Sequence, residues 1–168
     1  MGNTRIAFIG AGGIAGNHLN ALKKIPDVQI VGLCDVDAAR LEARQKEFGG
    51  DVFVDEPEKM LTQTKPDAVY VCLPPFAHGP GEEACLRHKV PFIVEKPIAR
   101  DLDVARKIAA GVKKAGLLTG TAYMSRYRKG VARAKELLEK DPPALVYGGW
   151  IGGFPRKHPR LIDKAKSG

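Results

Sequence analysis

Residues 5–15 read RIAFIGAGGIA, a short apolar run that ends in a cluster of glycines. The run from Arg5 to Ile9 is uninterrupted, which is typical of a strand buried on both faces. Apolar residues then recur at helical spacing as far as Pro26, which predicts a helix directly after the glycines. A second apolar run from Val28 to Cys34 completes a strand–helix–strand unit.

The same alternation continues through most of the chain. Strands that read as continuous hydrophobic runs between helices form parallel sheets with helices on both faces. We therefore predict an α/β fold with a doubly wound parallel sheet of six strands. The further predicted strands are Val52–Val54, Ala68–Leu73, Phe92–Val94 and Leu117–Ala122, and the further predicted helices are Ala38–Phe48, Pro57–Thr62, Gly81–His88, Leu102–Lys114 and Lys129–Lys140, with a last strand at Ala144–Ile151.

Length and composition exclude several classes of protein. The chain has 168 residues, of which 44% are hydrophobic and 27% charged, as in an ordinary globular protein. It lacks an apolar run near the roughly 18 residues that span a bilayer, and no basic leader precedes the first strand. We expect a cytoplasmic protein that has no membrane partner.

The three cysteines are Cys34, Cys72 and Cys85, an odd and widely spaced set without a CxxC pair. Two of them lie inside apolar segments. We predict buried, unpaired thiols in a reducing compartment.

The basic charge lies in the last third of the chain. Residues 1–99 hold 11 basic and 13 acidic side chains, whereas residues 100–168 hold 16 and 6. A solvated surface, or one that meets an acidic partner, explains this excess, and nucleic-acid contact is the alternative. Few aromatic residues are interleaved with the cations, so we expect no nucleic-acid partner. The cations concerned are Arg126, Arg128, Lys129, Arg133 and Lys135.

The glycine cluster has the GxGxxA form of a phosphate-binding turn. Gly10 permits a tight turn, Gly12 lets a pyrophosphate approach the backbone, and the small Ala15 lets the helix pack closely on the strand. Gly13 and Ile14 begin a helix whose N–H groups and partial positive charge attract phosphates. A plain turn is the alternative, but the position between a strand and a helix favours a dinucleotide site.

Asp35 ends the second predicted strand, 25 residues after Gly10. A carboxylate there accepts hydrogen bonds from the adenosine ribose and repels a 2′-phosphate, which favours NAD over NADP. NADP stays open because Arg40 can receive a phosphate. Asp37 can share the ribose contact, and Asp35 can instead cap the next helix.

Leu73, Pro74 and Pro75 follow the fourth predicted strand. They form a stiff apolar shelf at the carboxyl edge of the sheet, where open α/β sheets bind ligands, and we predict that the nicotinamide half of a dinucleotide lies across it. His78 is predicted in an exposed loop at the same edge, with either a site role or a helix-capping role. Leu73 stands where the Pro-Pro-aromatic box of a methyltransferase needs Asp or Asn, which disfavours methyl transfer from S-adenosylmethionine.

Glu95-Lys96-Pro97 follows the fifth predicted strand. Burial of charges at the end of a central strand is costly unless they pair or serve a ligand. We predict that Lys96 binds a substrate hydroxyl or carbonyl and, with its pKa lowered by desolvation, takes part in proton transfer. An internal ion pair between Glu95 and Lys96 is the alternative. We predict no metal ligands.

The chain resembles the glucose–fructose oxidoreductase / inositol dehydrogenase / MocA family over nearly its whole length. The resemblance rests on the order and spacing of Gly10–Ala15, Cys34-Asp35, Leu73–His78, Glu95-Lys96-Pro97 and Ala122–Tyr127. It implies an NAD(P)-dependent oxidoreductase that acts on a sugar, polyol or related substrate. An N-terminal Rossmann-type domain would hold the cofactor, and a C-terminal α/β domain would help to hold the substrate.

The resemblance also implies roles for single residues. Lys96 matches the family's active-site lysine, which contacts substrate near the nicotinamide, and Pro97 matches the proline that shapes this turn. Tyr123 and Arg126 match a Tyr/Phe-Asn-x-Arg segment after the sixth strand, although Met124 replaces the common Asn. Trp150 is a weaker match, placed where the second domain would return to the cleft.

Family members are longer, and their second domain supplies a histidine that completes proton transfer. His158 is a poor substitute for it. We therefore expect residues 1–121 to form the NAD(P)-binding domain and residues 122–168 to begin an incomplete second domain. We expect dinucleotide binding with little or no turnover by this piece, and a homo-oligomer for the full-length protein. A non-catalytic NAD(H) sensor is the alternative function.

Overall fold

The structure is a computed structural model that describes residues 2–147 and 149. Six strands form one sheet in which all paired neighbours are parallel. They are β1 Thr4–Ile9, β2 Val28–Asp35, β3 Asp51–Val54, β4 Ala68–Val71, β5 Phe92–Val94 and β6 Thr119–Thr121. Their order across the sheet is β3-β2-β1-β4-β5-β6. The chain therefore reverses its direction of winding between β1 and β4, which is where ligands bind in such sheets.

Helices connect the strands and cover both faces, so the predicted doubly wound α/β fold is confirmed. Three helices begin with residues suited to that place: Asp37 accepts a hydrogen bond from the backbone N–H of Arg40, and Pro57 and Pro80 occupy first helical positions. The helices are α1 Gly13–Leu22, α2 Ala38–Phe48, α3 Pro57–Thr64, α4 Pro80–His88, α5 Leu102–Ala115 and α6 Lys129–Lys140. Within the described residues, none is long and apolar enough to cross a membrane.

The core consists of two apolar clusters, one on each face of the sheet. Alternate residues of β1 enter different clusters because successive side chains in a strand point to opposite faces. Phe8 packs with residues of α1 and α2, whereas Ala7 packs with residues of α3, α4 and α5. The sheet is thus anchored on both sides, and its carboxyl edge is held in place.

Two predicted strands are shorter in the structure. Strand β4 stops at Val71 rather than Leu73, because Pro74 and Pro75 carry no N–H to extend the ladder. Strand β6 covers Thr119–Thr121 rather than residues 117–122, and Leu118 is exposed. The boundaries shift by a few residues, but the order of elements does not change.

The predicted strand at Ala144–Ile151 is wrong for residues 144–147. They are not assigned to a strand, and Leu145, Val146 and Tyr147 are exposed. A strand needs a hydrogen-bonded neighbour, and none of the described strands pairs with this segment. Residues 148 and 150–168, which include Trp150 and His158, lie outside the described part of the chain.

The three thiols are expected to be unreactive in the folded chain. All three are buried and unpaired, as predicted. Burial raises the pKa of Cys34 to about 11 and the pKa of Cys72 and of Cys85 to about 12. At a pH near the ordinary thiol pKa of about 8.5, iodoacetamide should therefore leave the native chain unmodified. In concentrated urea at the same pH it should label all three cysteines. Mass spectrometry would count the adducts, and rapid native labelling would contradict the burial.

Candidate functional site

The glycine turn joins the ends of three strands. The backbone N–H of Gly10 donates to the carbonyl of Cys34 at 2.7 Å, and φ of Gly10 is +92°. A Cβ atom on Gly10 would lie 2.3 Å from the carbonyl oxygen of Cys72. Only glycine fits here, because both the dihedral angle and the close approach exclude a side chain. The tight turn predicted at Gly10 is therefore present.

The entrance to α1 lies beside open space. Gly12 is the N-cap of α1 and Gly13 is its first residue. A Cβ atom on either glycine would meet nothing within 4 Å, whereas Ile14 is half-buried and Ala15 is fully buried. The backbone at Gly12 is thus accessible to a pyrophosphate at a helix N-terminus, which is the arrangement that dinucleotides require.

Asp35 is held rigidly at the end of β2. Its carboxylate accepts hydrogen bonds from the N–H groups of Ala11 at 2.7 Å and Asp37 at 3.0 Å. The Arg40 guanidinium pairs with both carboxylate oxygens at 3.0 and 3.2 Å. Asp35 thereby links the glycine turn to the edge where a ribose would lie. The helix cap is Asp37, not Asp35, so the capping alternative for Asp35 is wrong.

Asp37→Ala is expected to separate helix capping from cofactor binding. The change removes the carboxylate that accepts a hydrogen bond from the backbone N–H of Arg40, so α2 should lose about 1 kcal/mol of stability. The Asp35 carboxylate keeps all of its hydrogen-bond donors, including the backbone N–H of residue 37, so dinucleotide affinity should change less than about twofold, or about 0.4 kcal/mol. Urea unfolding and a fluorescence titration with NADH measure the two effects. A much larger loss of NADH affinity would place Asp37 in the ribose contact.

Arg44 is a site residue that the sequence reasoning missed. From α2 its guanidinium donates to the carbonyls of Ala11 and Gly12, each at 3.3 Å. It lies directly above Gly16, where a Cβ atom would come within 2.5 Å of a guanidinium nitrogen. Gly16 was the one sequence feature that could have indicated this contact, because a larger residue there would clash with Arg44. The packing of α1 on α2 has to be known before Gly16 can be interpreted in this way.

Arg44→Met is expected to loosen the glycine turn. Loss of two hydrogen bonds to its carbonyls should weaken NADH binding about fivefold, equivalent to about 1 kcal/mol. Lys46→Met is the matched control, since Lys46 is an exposed cation of the same helix. Equal NADH affinity in the two variants would show that Arg44 does not support the turn.

The apolar shelf at Leu73, Pro74 and Pro75 lies where the sequence predicts it. All three residues are half-buried, and Pro75 begins a short 3₁₀ turn through Ala77. The Arg100 N–H donates to the carbonyl of Pro75 at 3.0 Å, which ties the shelf to the segment after β5. The contact of this shelf with a nicotinamide stays a prediction.

The predicted exposure of His78 is wrong, since its side chain is fully buried. Its Nδ1 lies 2.5 Å from Oε1 of Glu82, and Oε2 of Glu82 accepts the Gly79 N–H at 2.8 Å. Pro80 starts α4 immediately after this turn, so Glu82 reaches back and encloses the imidazole. The N-cap of α4 is Gly79, whose N–H donates to Glu82, so the helix-capping alternative is wrong for His78, and its cofactor contact remains a prediction.

Glu95 and Lys96 occupy different environments. The Glu95 side chain is buried, as predicted, and its Oε1 lies 2.8 Å from Nε2 of His18. Its Oε2 accepts the backbone N–H of Lys96 at 3.0 Å. The Lys96 side chain is exposed, so its predicted desolvation is wrong for the described chain, and the described ion-pair partner of Glu95 is His18 rather than Lys96. Exposure follows because Lys96 lies beyond the end of β5.

Tyr123 and Arg126 follow β6 at the same edge. Tyr123 is about half exposed, and Arg126 is exposed in a 3₁₀ turn at Met124–Tyr127. Parallel strands end at one edge, so the structure gathers the predicted positions after β1, β2, β4, β5 and β6 there. The roles of Tyr123 and Arg126 in ligand binding stay predictions.

The chain is similar to curated proteins that include inositol and D-glucoside dehydrogenases. An inositol 2-dehydrogenase of Rubrobacter xylanophilus is 28% identical over 149 residues, which is 86% of this chain and 43% of that protein. A D-glucoside 3-dehydrogenase of Escherichia coli is 28% identical over 85% of this chain and 41% of that protein. The chain thus spans about two-fifths of the length of these relatives.

Solved structures and a family profile agree with this relationship. The WlbA dehydrogenase from Chromobacterium violaceum, in complex with NADH and UDP-GlcNAcA, superimposes with a TM-score of 0.77 at 25% identity. The similarity covers 82% of this chain and 40% of that structure. Residues 4–123 match the profile described as "Oxidoreductase family, NAD-binding Rossmann fold". This chain therefore belongs to that family of glucose–fructose oxidoreductase, inositol dehydrogenase and MocA proteins.

Proposed function

We propose that this chain binds NAD(H) as the cofactor part of an oxidoreductase that acts on a CH–OH group of a sugar or polyol. The observation that carries the proposal is the Asp35 carboxylate, fixed by Ala11 and Arg40 beside the open space at Gly12. This arrangement suits an adenosine ribose next to a pyrophosphate. Relatives named as inositol and glucoside dehydrogenases support the substrate class.

The residues of the carboxyl edge have distinct proposed tasks. Gly12 and the first turn of α1 hold the pyrophosphate, and Asp35 holds the adenosine ribose. The shelf of Leu73, Pro74 and Pro75 supports the nicotinamide ring, which when bound supplies the acceptor for a hydride. Lys96, exposed at the same edge, binds the reacting oxygen of the substrate and assists its proton transfer.

We also propose that residues 122–168 begin a second domain of the full-length protein. In the described part of this region, α6 has no buried residue, and Val131, Leu137 and Leu138 are about half exposed. An amphipathic helix with an uncovered apolar side is expected where further structure packs. On this proposal the second domain completes the substrate site and forms the contacts of a homo-oligomer.

A side-by-side ligand titration tests the cofactor proposal. NADH should raise the melting temperature and saturate a fluorescence change, with a stabilisation of about 2.7 kcal/mol at a hundredfold excess over Kd. NADPH should bind more weakly, because Asp35 repels a 2′-phosphate. Stabilisation by S-adenosylmethionine instead of NADH would overturn the proposal in favour of methyl transfer.

Turnover by the chain alone is a separate test. Because the proposed substrate site needs the second domain, we expect NADH binding without saturable reduction of NAD by myo-inositol. Absorbance of NADH measures this reaction. Steady turnover would show that residues 1–168 already hold a complete site.

A further inference from the structure

His18 connects the helix of the dinucleotide site to the end of β5. It lies in the second turn of α1, which begins at Gly13. Its ring centroid is 5.0 Å from that of Tyr70 in β4, and its Nε2 is 2.8 Å from Oε1 of Glu95. The side chain thus passes across the end of β4 to reach a residue beyond β5.

The two oxygens of Glu95 are both used within the protein. Oε1 pairs with His18, and Oε2 accepts the backbone N–H of Lys96. The Glu95 side chain is only 3% exposed, so water has little access to replace a lost partner. An ionised carboxylate only accepts hydrogen bonds, so with Glu95 ionised the donor in this contact is Nε2 of His18.

Orientation of this carboxylate depends on His18. Burial of a carboxylate oxygen without a donor is costly, so removal of the imidazole N–H would make the group rotate or draw in water. Rotation takes Oε2 away from the backbone N–H of Lys96, and an entering water competes with that N–H for the carboxylate. The bond from Glu95 N–H to the carbonyl of Val71, at 2.9 Å, does not involve the side chain and would remain.

We propose that His18 is a positioning residue for Lys96, acting through Glu95. This inference rests on the proposed function, in which Lys96 binds the substrate oxygen. The helix that carries His18 also begins at the proposed pyrophosphate-binding turn, so one element, α1, holds both the positioning residue and the proposed cofactor contact.

Hydrogen exchange at single amides tests the proposal in the complete chain. In His18→Asn the side chain is too short to reach Glu95, whereas His18→Gln keeps an N–H near the position of Nε2. We expect His18→Asn to speed exchange of the Lys96 amide about tenfold relative to the adjacent Glu95 amide. His18→Gln should keep this ratio within about threefold of the wild type. The Glu95 amide is the internal reference, because general loosening would accelerate both.

A second histidine–glutamate pair provides the matched control. His88, the last residue of α4, lies with its Nε2 2.6 Å from Oε2 of Glu58. It is at the opposite edge of the sheet, so His88→Asn should leave the Lys96-to-Glu95 exchange ratio unchanged. Three outcomes would overturn the proposal. The ratio could stay unchanged in His18→Asn, it could change in His88→Asn as much as in His18→Asn, or it could rise in His18→Gln as much as in His18→Asn.

Two measurements keep the test independent of folding and of cofactor binding. If His18→Asn does not fold, the ¹⁵N spectrum of the wild-type imidazole decides: a proton on Nε2 supports the proposal, and an unprotonated Nε2 overturns it. Fluorescence titration with NADH tests the proposed function separately. A wild-type chain that fails to bind NADH would refute that function, while the exchange ratio would still decide the role of His18.

Discussion

Gly10→Ala is expected to destabilise the chain by about 3 kcal/mol or more, enough to prevent folding of a marginally stable domain. The new Cβ atom would lie 2.3 Å from the backbone carbonyl oxygen of Cys72, and φ at this position is +92°. The two atoms nearest to the new Cβ are the carbonyl oxygen and carbon of Cys72, which are backbone atoms, so relief requires movement of β1 against β4. Urea unfolding followed by circular dichroism measures the loss.

Gly12→Ala is the control for this prediction. A Cβ atom on Gly12 meets nothing within 4 Å, and its φ of −67° suits any residue. The variant should fold normally, yet the methyl group would occupy the space proposed for the pyrophosphate. We expect NADH affinity to fall at least about tenfold, or about 1.4 kcal/mol. Normal stability of Gly10→Ala would contradict the geometry of the turn.

Asp35→Asn is expected to change the choice of cofactor. The asparagine keeps the shape of the side chain but loses its charge, which weakens the bonds to a ribose diol and removes the repulsion of a 2′-phosphate. It also removes one of the two carboxylate partners of Arg40, which pairs with Asp35 at 3.0 Å and with Asp37 at 3.1 Å, and so makes the guanidinium more available to that phosphate. We expect NADH affinity to fall about tenfold and NADPH affinity to rise, as measured by fluorescence titration.

Asp35→Asn,Arg40→Met separates the two effects. This double variant should lose NADH affinity to the same extent but gain less NADPH affinity than Asp35→Asn, because the repulsion is removed while the cation is absent. An unchanged ratio of NADH to NADPH affinity in Asp35→Asn would show that this carboxylate does not contact the ribose.

The glycine turn and Asp35 were predictable because their chemistry is local. Gly10 and Gly12 stand between a recognisable strand and helix, and Asp35 directly ends the next strand. Hydrophobic runs also predicted the location of all six strands along the chain, since strands buried on both faces carry few polar residues. The boundaries of β4 and β6 were less certain because pairing, rather than composition, ends a strand.

Individual side-chain contacts could not be predicted, whether the partners lie near or far along the chain. The exposed loop expected at His78 is a buried turn because Glu82 reaches back from α4. Arg44 meets the carbonyl of Gly12 across 32 positions of sequence. Such pairs carry no local pattern, since Glu82 and Arg44, taken alone, are typical of charged residues on a surface helix.

The sequence by itself determined the class of fold and the tight glycine turn, because hydrophobic periodicity and glycine spacing act over a few residues. Only the tertiary structure decided which groups satisfy the charges at the carboxyl edge. Glu95 pairs with His18, 77 positions away, and not with its neighbour Lys96. The physical reason is that a buried carboxylate must find donors wherever packing brings them, and packing unites residues that the chain keeps far apart.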